Sequence, residues 1–172
     1  MLFRSHQMYL GCLILSVILI IADQLIKAWA FTDLQAIGTI PLIQDVLHLT
    51  YSENRGAAFS ILYGKTELLM IVNTILIVVL LYILLSKKLT HPLAVFSTTL
   101  IVSGGIGNMI DRLIREGSFV VDYIDFRLIN FAIFNFADIC VVCGVALLLF
   151  YMIFIEGKES KTTVKEGSEN DD

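Results

Sequence analysis

The 172-residue chain is 57% hydrophobic and 16% charged, with a mean hydropathy of +0.82. Soluble domains are about 45–50% apolar and roughly 25% charged, so the composition excludes an ordinary soluble globule and points to an integral membrane protein. The net charge of −4 says little, because six acids fall in the last seventeen residues, and the unclustered Lys and Arg exclude a nucleic-acid surface.

A membrane helix needs about 20 mostly apolar residues, and four runs meet that length. The first spans about Tyr9 to Ala30 and is interrupted by Asp23 and Lys27. It outlasts a signal-peptide core, and no small-x-small site closes it before Asp23, so it is expected to be a retained span. IPLIQDVLHLTYSENRGAAFSIL follows, rich in β-branched and aromatic residues with an Asn-Arg-Gly turn signal. It predicts a small strand-bearing extramembrane element over about residues 36–64. The second run is Glu67–Ser86, and the short basic loop KKLTH leads to the third, Pro92–Ile110. The connection 111–136 is partly apolar and is expected along the membrane surface. The fourth run is Ala137–Ile155, and the polar tail 156–172 is expected to be disordered. Cys140 and Cys143 form CVVC inside the fourth run, with no second pair and no nearby His, so a buried structural role outweighs metal or redox chemistry.

Four spans put both termini on one side. Lys and Arg tie at six on each side, and only Lys87 with Lys88 in a short loop favour termini inside. The polar features are more informative. Asp23 lies late in the first run, Asn108 and Asp111 at the end of the third, Asp122 beyond it, and Asp138 at the start of the fourth. With Asn54 and Arg55 in the first loop, all fall on the face opposite the termini.

Any one of these acids reads ordinarily as an interfacial carboxylate in water. As a set they say more, since Asp122 and Asp138 both flank apolar sequence. Two carboxylates sharing a site cannot both ionise easily, and the pair can hold one proton. One acid then activates water while the other donates to a carbonyl, which is aspartic-protease chemistry without metal, cofactor or covalent intermediate. There is no HExxH, no GxSxG, and the three histidines are scattered. Asp23 and Lys27 form an i,i+4 pair. SGGIGN at 103–108 lacks a P-loop Lys-Ser/Thr and suits close helix packing. Arg112 can pair with a carboxylate or reach a lipid phosphate. Asn135 is placed to cap the fourth helix, with Asp138 in its first turn.

Together ADQLIK (22–27), NRGAAF (54–59), GGIGNMIDR (104–112), VVDYIDF (120–126) and FNFAD (134–138) resemble the lipoprotein signal peptidases, or signal peptidase II, of bacteria. The resemblance implies an all-α integral membrane protease of four transmembrane helices with a small extracytoplasmic β-cradle. Its membrane domain would be 1–155 and its tail 156–172. It implies cleavage of prolipoproteins on the amino side of a diacylglyceryl-modified cysteine, in the bacterial cytoplasmic membrane. The termini would be cytoplasmic, the active site near the outer leaflet, and the chain a monomer whose partners are its lipidated prolipoprotein substrate and membrane lipids. Carried over by motif, the catalytic pair is Asp122 and Asp138, with Asp111 as the rival for the first position. Asn54, Gly56, Asn108, Arg112 and Asn135 match positions that shape or bind at the site, Asp23 and Lys27 form a supporting shell, and Asp125 is structural.

Two other classes fit the sequence less well. A small transporter or channel would carry acids across the bilayer, whereas these gather at one face. A presenilin-type protease would need an acid in GxGD, where GIGN carries Asn108.

Overall fold

The computed structural model describes residues 2–56 and 66–156. Positions 57–59 of NRGAAF and the tail from 157 onward lie outside the described residues. Helix α1 (Leu2–Trp29) passes through a π-helical turn (Ala30–Leu34) into the single-turn helix α2 (Gln35–Ile37). Gly38 ends it at φ +85°, a left-handed stop that an L side chain rarely adopts. Strands β1 (Thr39–Ile43) and β2 (Leu47–Asn54) form an antiparallel hairpin. Helix α3 (Thr66–Leu85) follows, then α4 (Pro92–Ile114), strand β3 (Val120–Phe126) and α5 (Phe136–Tyr151), which ends in a π-helical turn, Met152–Glu156. His91 caps α4 by accepting the Leu93 N–H at 3.2 Å, with Pro92 in the first turn where it gives up no helical bond.

Among the described residues, three helical segments are long and apolar enough to cross a membrane: His6–Ile37, Pro92–Ile114 and Phe136–Glu156. The apolar stretch of α3, Met70–Leu85, is shorter. The molecule is therefore mostly helical, with a small three-stranded sheet of order β1-β2-β3. The third strand does not come from the first loop. It comes from 120–126, within the connection that the sequence reading laid along the membrane surface. Antiparallel pairing sets Ser52 opposite Asp122 and His48 opposite Asp125, with a bulge between Leu49 and Ser52. The bulge twists β2 locally and sits beside the candidate site.

Helix α4 is the hub, packing against α1, α3 and α5. Three small residues make this possible. A Cβ on Gly104 would meet the Ala137 carbonyl, one on Gly105 would come within 2.9 Å of Ile77, and one on Gly107 within 2.5 Å of Asp23. The three neighbours of α4 thus each approach its backbone at a glycine, the packing expected where lipid supplies no hydrophobic drive between helices. Polarity is inverted relative to a soluble bundle. Ser97, Thr98, Thr99 and Ser103 are buried, while Leu13, Val17, Ile21 and Leu25 of α1 face outward. The buried hydroxyls of Thr98 and Thr99 donate to the carbonyls of Ala94 and Val95, both at 2.8 Å, so none is left unpaired in a dry interior.

Beyond the helix ends, Ala30 and Leu34 of the π-helical turn pack with Phe119, Val121 and Tyr123. This core fixes the sheet against α1. It also fixes the facing of β3, since side chains alternate along a strand: Val121 and Tyr123 turn to the core and Asp122 turns away from it.

Replacing Gly104 by Val should lower the melting temperature in detergent, because overpacking against backbone costs about 1–3 kcal/mol. Gly11→Ala, where a Cβ meets nothing within 4 Å, should not.

Candidate active site

The site forms where β3, the end of α4 and the start of α5 meet. Asp122 and Asp138 are brought there by different means. Asp122 rides on β3, held by its pairing with β2. Asp138 stands at the third position of α5, where it completes a capping box. The Asn135 side chain accepts the Asp138 N–H at 2.9 Å, and Asp138 Oδ2 accepts the Asn135 N–H at 3.1 Å.

Four N–H groups face the two carboxylates. Asn135 Nδ2 donates to Asp122 Oδ1 at 2.6 Å and Asn54 Nδ2 donates to Asp122 Oδ2 at 2.9 Å. Asn108 Nδ2 donates to Asp138 Oδ1 at 2.7 Å, beside the capping bond from Asn135. Asn135 therefore touches both acids and ties strand to helix. The Gly56 N–H donates to Asn54 Oδ1 at 3.0 Å, which turns the amide end of Asn54 toward Asp122.

Asp122 is 2% exposed. Burial pushes its carboxyl up to about 7, with the charge of Asp138 adding to the effect and the bonds from Asn54 and Asn135 opposing it. A carboxyl raised this far keeps a proton near neutrality.

A second layer surrounds the pair. The fully buried Lys27 ammonium lies 2.9 Å from Asp23 and 3.4 Å from Asp111, and donates to Asn108 Oδ1 at 2.8 Å. Asp23 accepts the Ala137 N–H at 3.1 Å, filling one of the open donors at the α5 N-terminus. Asp111 accepts the Val121 N–H at 3.0 Å and lies 3.2 Å from Arg115 Nε, so its carboxylate joins α4 to β3. Half-buried Arg112 donates to the Asn108 carbonyl at 3.3 Å and sits within electrostatic reach of Asp138 and Asp122.

Asp23, Lys27, Asn54, Gly56, Asn108, Asp111, Arg112, Asp122, Asn135 and Asp138 belong to one connected network, while Arg55 pairs with Glu53 at 2.7 Å. Asp125 stands apart. Thr50 and Arg127 each donate to it at 2.8 Å. Burial works against its charge, but these bonds outweigh it and hold the carboxyl below its usual value. Three participants were missed. Gln24 donates to Asp23 and to the Gly107 carbonyl, each at 3.1 Å. Tyr123 Oη accepts the Phe136 N–H at 3.1 Å, and Arg115 pairs with Asp111. Gly107, in the stretch read for close helix packing, leaves room for Asp23. Gln24 and Tyr123 lie inside the quoted motifs, next to residues that were picked out. Arg115 had the i,i+4 spacing to Asp111 as its signal.

This chain is similar in sequence and in fold to known proteins. The family model described as signal peptidase (SPase) II matches residues 15–154. The chain belongs to the signal peptidase II family. It is thus a protease and an integral membrane protein. It is 47% identical to the lipoprotein signal peptidase of Clostridioides difficile over 84% of this chain and 97% of the relative. The lipoprotein signal peptidase of Halothermothrix orenii is 45% identical over 81% and 92%. A bacterial membrane enzyme structure solved by the in meso method at 2.3 Å resolution has 29% identity and a TM-score of 0.75, over 83% of this chain and 87% of that one.

The raised Asp122 carboxyl has a thermodynamic consequence. Unfolded, it titrates near 3.8; folded, near 7. The folded state binds the extra proton between those values, so the stabilising contribution is complete below about 4 and is lost as pH rises through about 7. The melting temperature of Asp122→Asn, relative to the parent, should therefore shift in the variant's favour as pH rises across that window.

Proposed function

We propose that this signal peptidase II family member removes signal peptides from lipoproteins with Asp122 and Asp138 as its catalytic pair, cleaving on the amino side of a diacylglyceryl-modified cysteine. The observation that carries the reading is the bridging of two buried carboxylates by Asn135, with donors supplied from α4 and β2. Asp111 is the weaker choice for the first role, because its Oδ2 accepts the Val121 N–H and faces Lys27 while its Oδ1 faces Arg115, so the carboxylate is turned to the supporting network.

In the reaction, Asp138 takes a proton from water as the water oxygen attacks the scissile carbonyl carbon. Asp122 gives its proton to the carbonyl oxygen, and a neutral gem-diol forms between them. On collapse the proton on Asp138 passes to the departing amide nitrogen, and a gem-diol hydroxyl returns its proton to Asp122. The C–N bond breaks, leaving a carboxylic acid on the signal peptide and a free amine on the lipidated cysteine. Developing negative charge falls on groups already facing fixed N–H donors, which need no reorganisation at that moment. Arg112, with donors to spare, binds the substrate backbone near the pair, and Asn54 and Gly56 shape the opposite wall.

In this reading α3 is a fourth span. Its 20 residues give about 30 Å of helix, matching a hydrocarbon core of about 30 Å. Both termini then lie in the cytoplasm, and the dyad sits near the outer leaflet of the bacterial cytoplasmic membrane, beneath the β-cradle. The protein works as a monomer, and the acyl chains of its substrate stay in lipid between the helices.

Asp122→Asn and Asp138→Asn should each cut cleavage of a lipidated prolipoprotein by about 10²–10⁴-fold while membrane insertion is retained. Full activity in a purified Asp122→Asn enzyme would remove that residue from the dyad. The parent should leave the unlipidated substrate intact. Its rate should fall as pH rises above about 7, since the proton held by the raised Asp122 carboxyl is then lost.

A further inference from the structure

Lys27 makes no contact with the two candidate catalytic acids, yet it is fully buried one residue away from them, through Asn108. The amide of Asn108 is bonded at both ends. Its Oδ1 accepts from Lys27 Nζ at 2.8 Å and from Asn135 Nδ2 at 3.1 Å, and its Nδ2 donates to Asp138 at 2.7 Å. Lys27 has no acceptor of its own, so an ammonium at that distance admits only the oxygen end of Asn108. The amide end must then face Asp138.

The charge of Lys27 is faced by Asp23 on α1 and Asp111 on α4, with Arg115 against Asp111. Asp122, Asp138 and Arg112 complete the charged groups around the pair. The Lys27 charge reaches Asp122 and Asp138 directly as well. What Asn108 adds for Asp138 is the directional part: a charge-assisted bond onto Asn108 Oδ1, which polarises the amide and strengthens its N–H donation at the other end.

We propose that Lys27 is a positioning residue for catalysis, which orients and polarises Asn108 so that this amide favours an ionised, proton-accepting Asp138. The inference rests on the dyad reading above. It assigns the lysine a role in the chemical step over and above its part in tying α1 to α4.

The test separates relay from scaffold. Lys27→Met alone would leave Asp23 and Asp111 without their shared cation, so the informative variant is Lys27→Met/Asp111→Asn, which removes one charge of each sign. It is compared with Asn108→Ala and with the triple variant, using a lipidated prolipoprotein across a range of pH. In the double variant kcat should fall about tenfold with KM little changed. The acid limb of the kcat profile, where the dyad gains its second proton, should move to higher pH, because the ionised form has lost support. Asn108→Ala should move the limb in the same direction. In its background the charge-neutral pair should add almost nothing, since two residues acting through one bond are not additive. An unmoved limb, or effects that multiply in the triple variant, would overturn the proposal. If the lysine variants fail to fold, an Asn108→Ala enzyme with the parent's acid limb overturns it alone. Failure of the parent to cleave would instead strike the dyad reading, so the two outcomes stay distinct.

Discussion

The Lys27 ammonium, buried between Asp23 and Asp111, is the interaction on which the placement of four elements depends. A buried charge is tolerated only when paired and bonded, and removing one partner of such a pair costs about 3–5 kcal/mol. Each carboxylate that satisfies Lys27 also holds a backbone N–H from elsewhere. Asp23 takes the one from Ala137 at the start of α5, and Asp111 takes the one from Val121 in β3. A cation on α1 thereby fixes where the strand bearing Asp122 and the helix bearing Asp138 begin. The pair's geometry is thus set partly from behind, by residues that touch neither acid, in addition to the asparagines that bond them.

That cluster can exist only because α4 lets its neighbours come close. Gly107 gives Asp23 room to reach across to α5 and Lys27, while Gly104 admits the first turn of α5 against the α4 backbone. In lipid, apolar side chains gain little by leaving the solvent, so backbone approach and internal polar bonds hold the bundle. The polar network is thus part of what holds the helices together, and the residues serving the site and those serving the fold overlap heavily.

This overlap explains what was legible in the sequence. Asp23, Asn108, Asp111, Asp122 and Asp138 stand out because polar groups are costly near lipid, and they gather on one face because spans alternate in direction. The sequence is less informative about partners. VVDYIDF is rich in β-branched and aromatic residues but does not alternate, and its place in the sheet comes from pairing with β2, which lies more than sixty residues away. The end of α1 was read at Ala30, yet the helical path runs on to Ile37 because Ala30 and Leu34 cover the core face of the sheet. The end of α4 was read at Ile110, and the helix reaches Ile114, keeping Asp111 and Arg115 one turn apart. In each case a tertiary contact extended an element past the point where its apolar pattern stopped.

The proposed aspartic pair also draws on both a strand and a helix. Identical carboxyls in identical settings would compete for one proton on equal terms. Here Asp138 sits in the first turn of α5, where a backbone N–H and the helix dipole favour negative charge. Asp122 sits on a strand, which has no comparable dipole, and burial raises its carboxyl to about 7. Asn135 spans both environments, so the asymmetry arises within one bonded unit and does not depend on motion between elements. In the proposed reading, acid and base therefore differ by the backbone that carries each carboxyl, a strand for one and a helix start for the other.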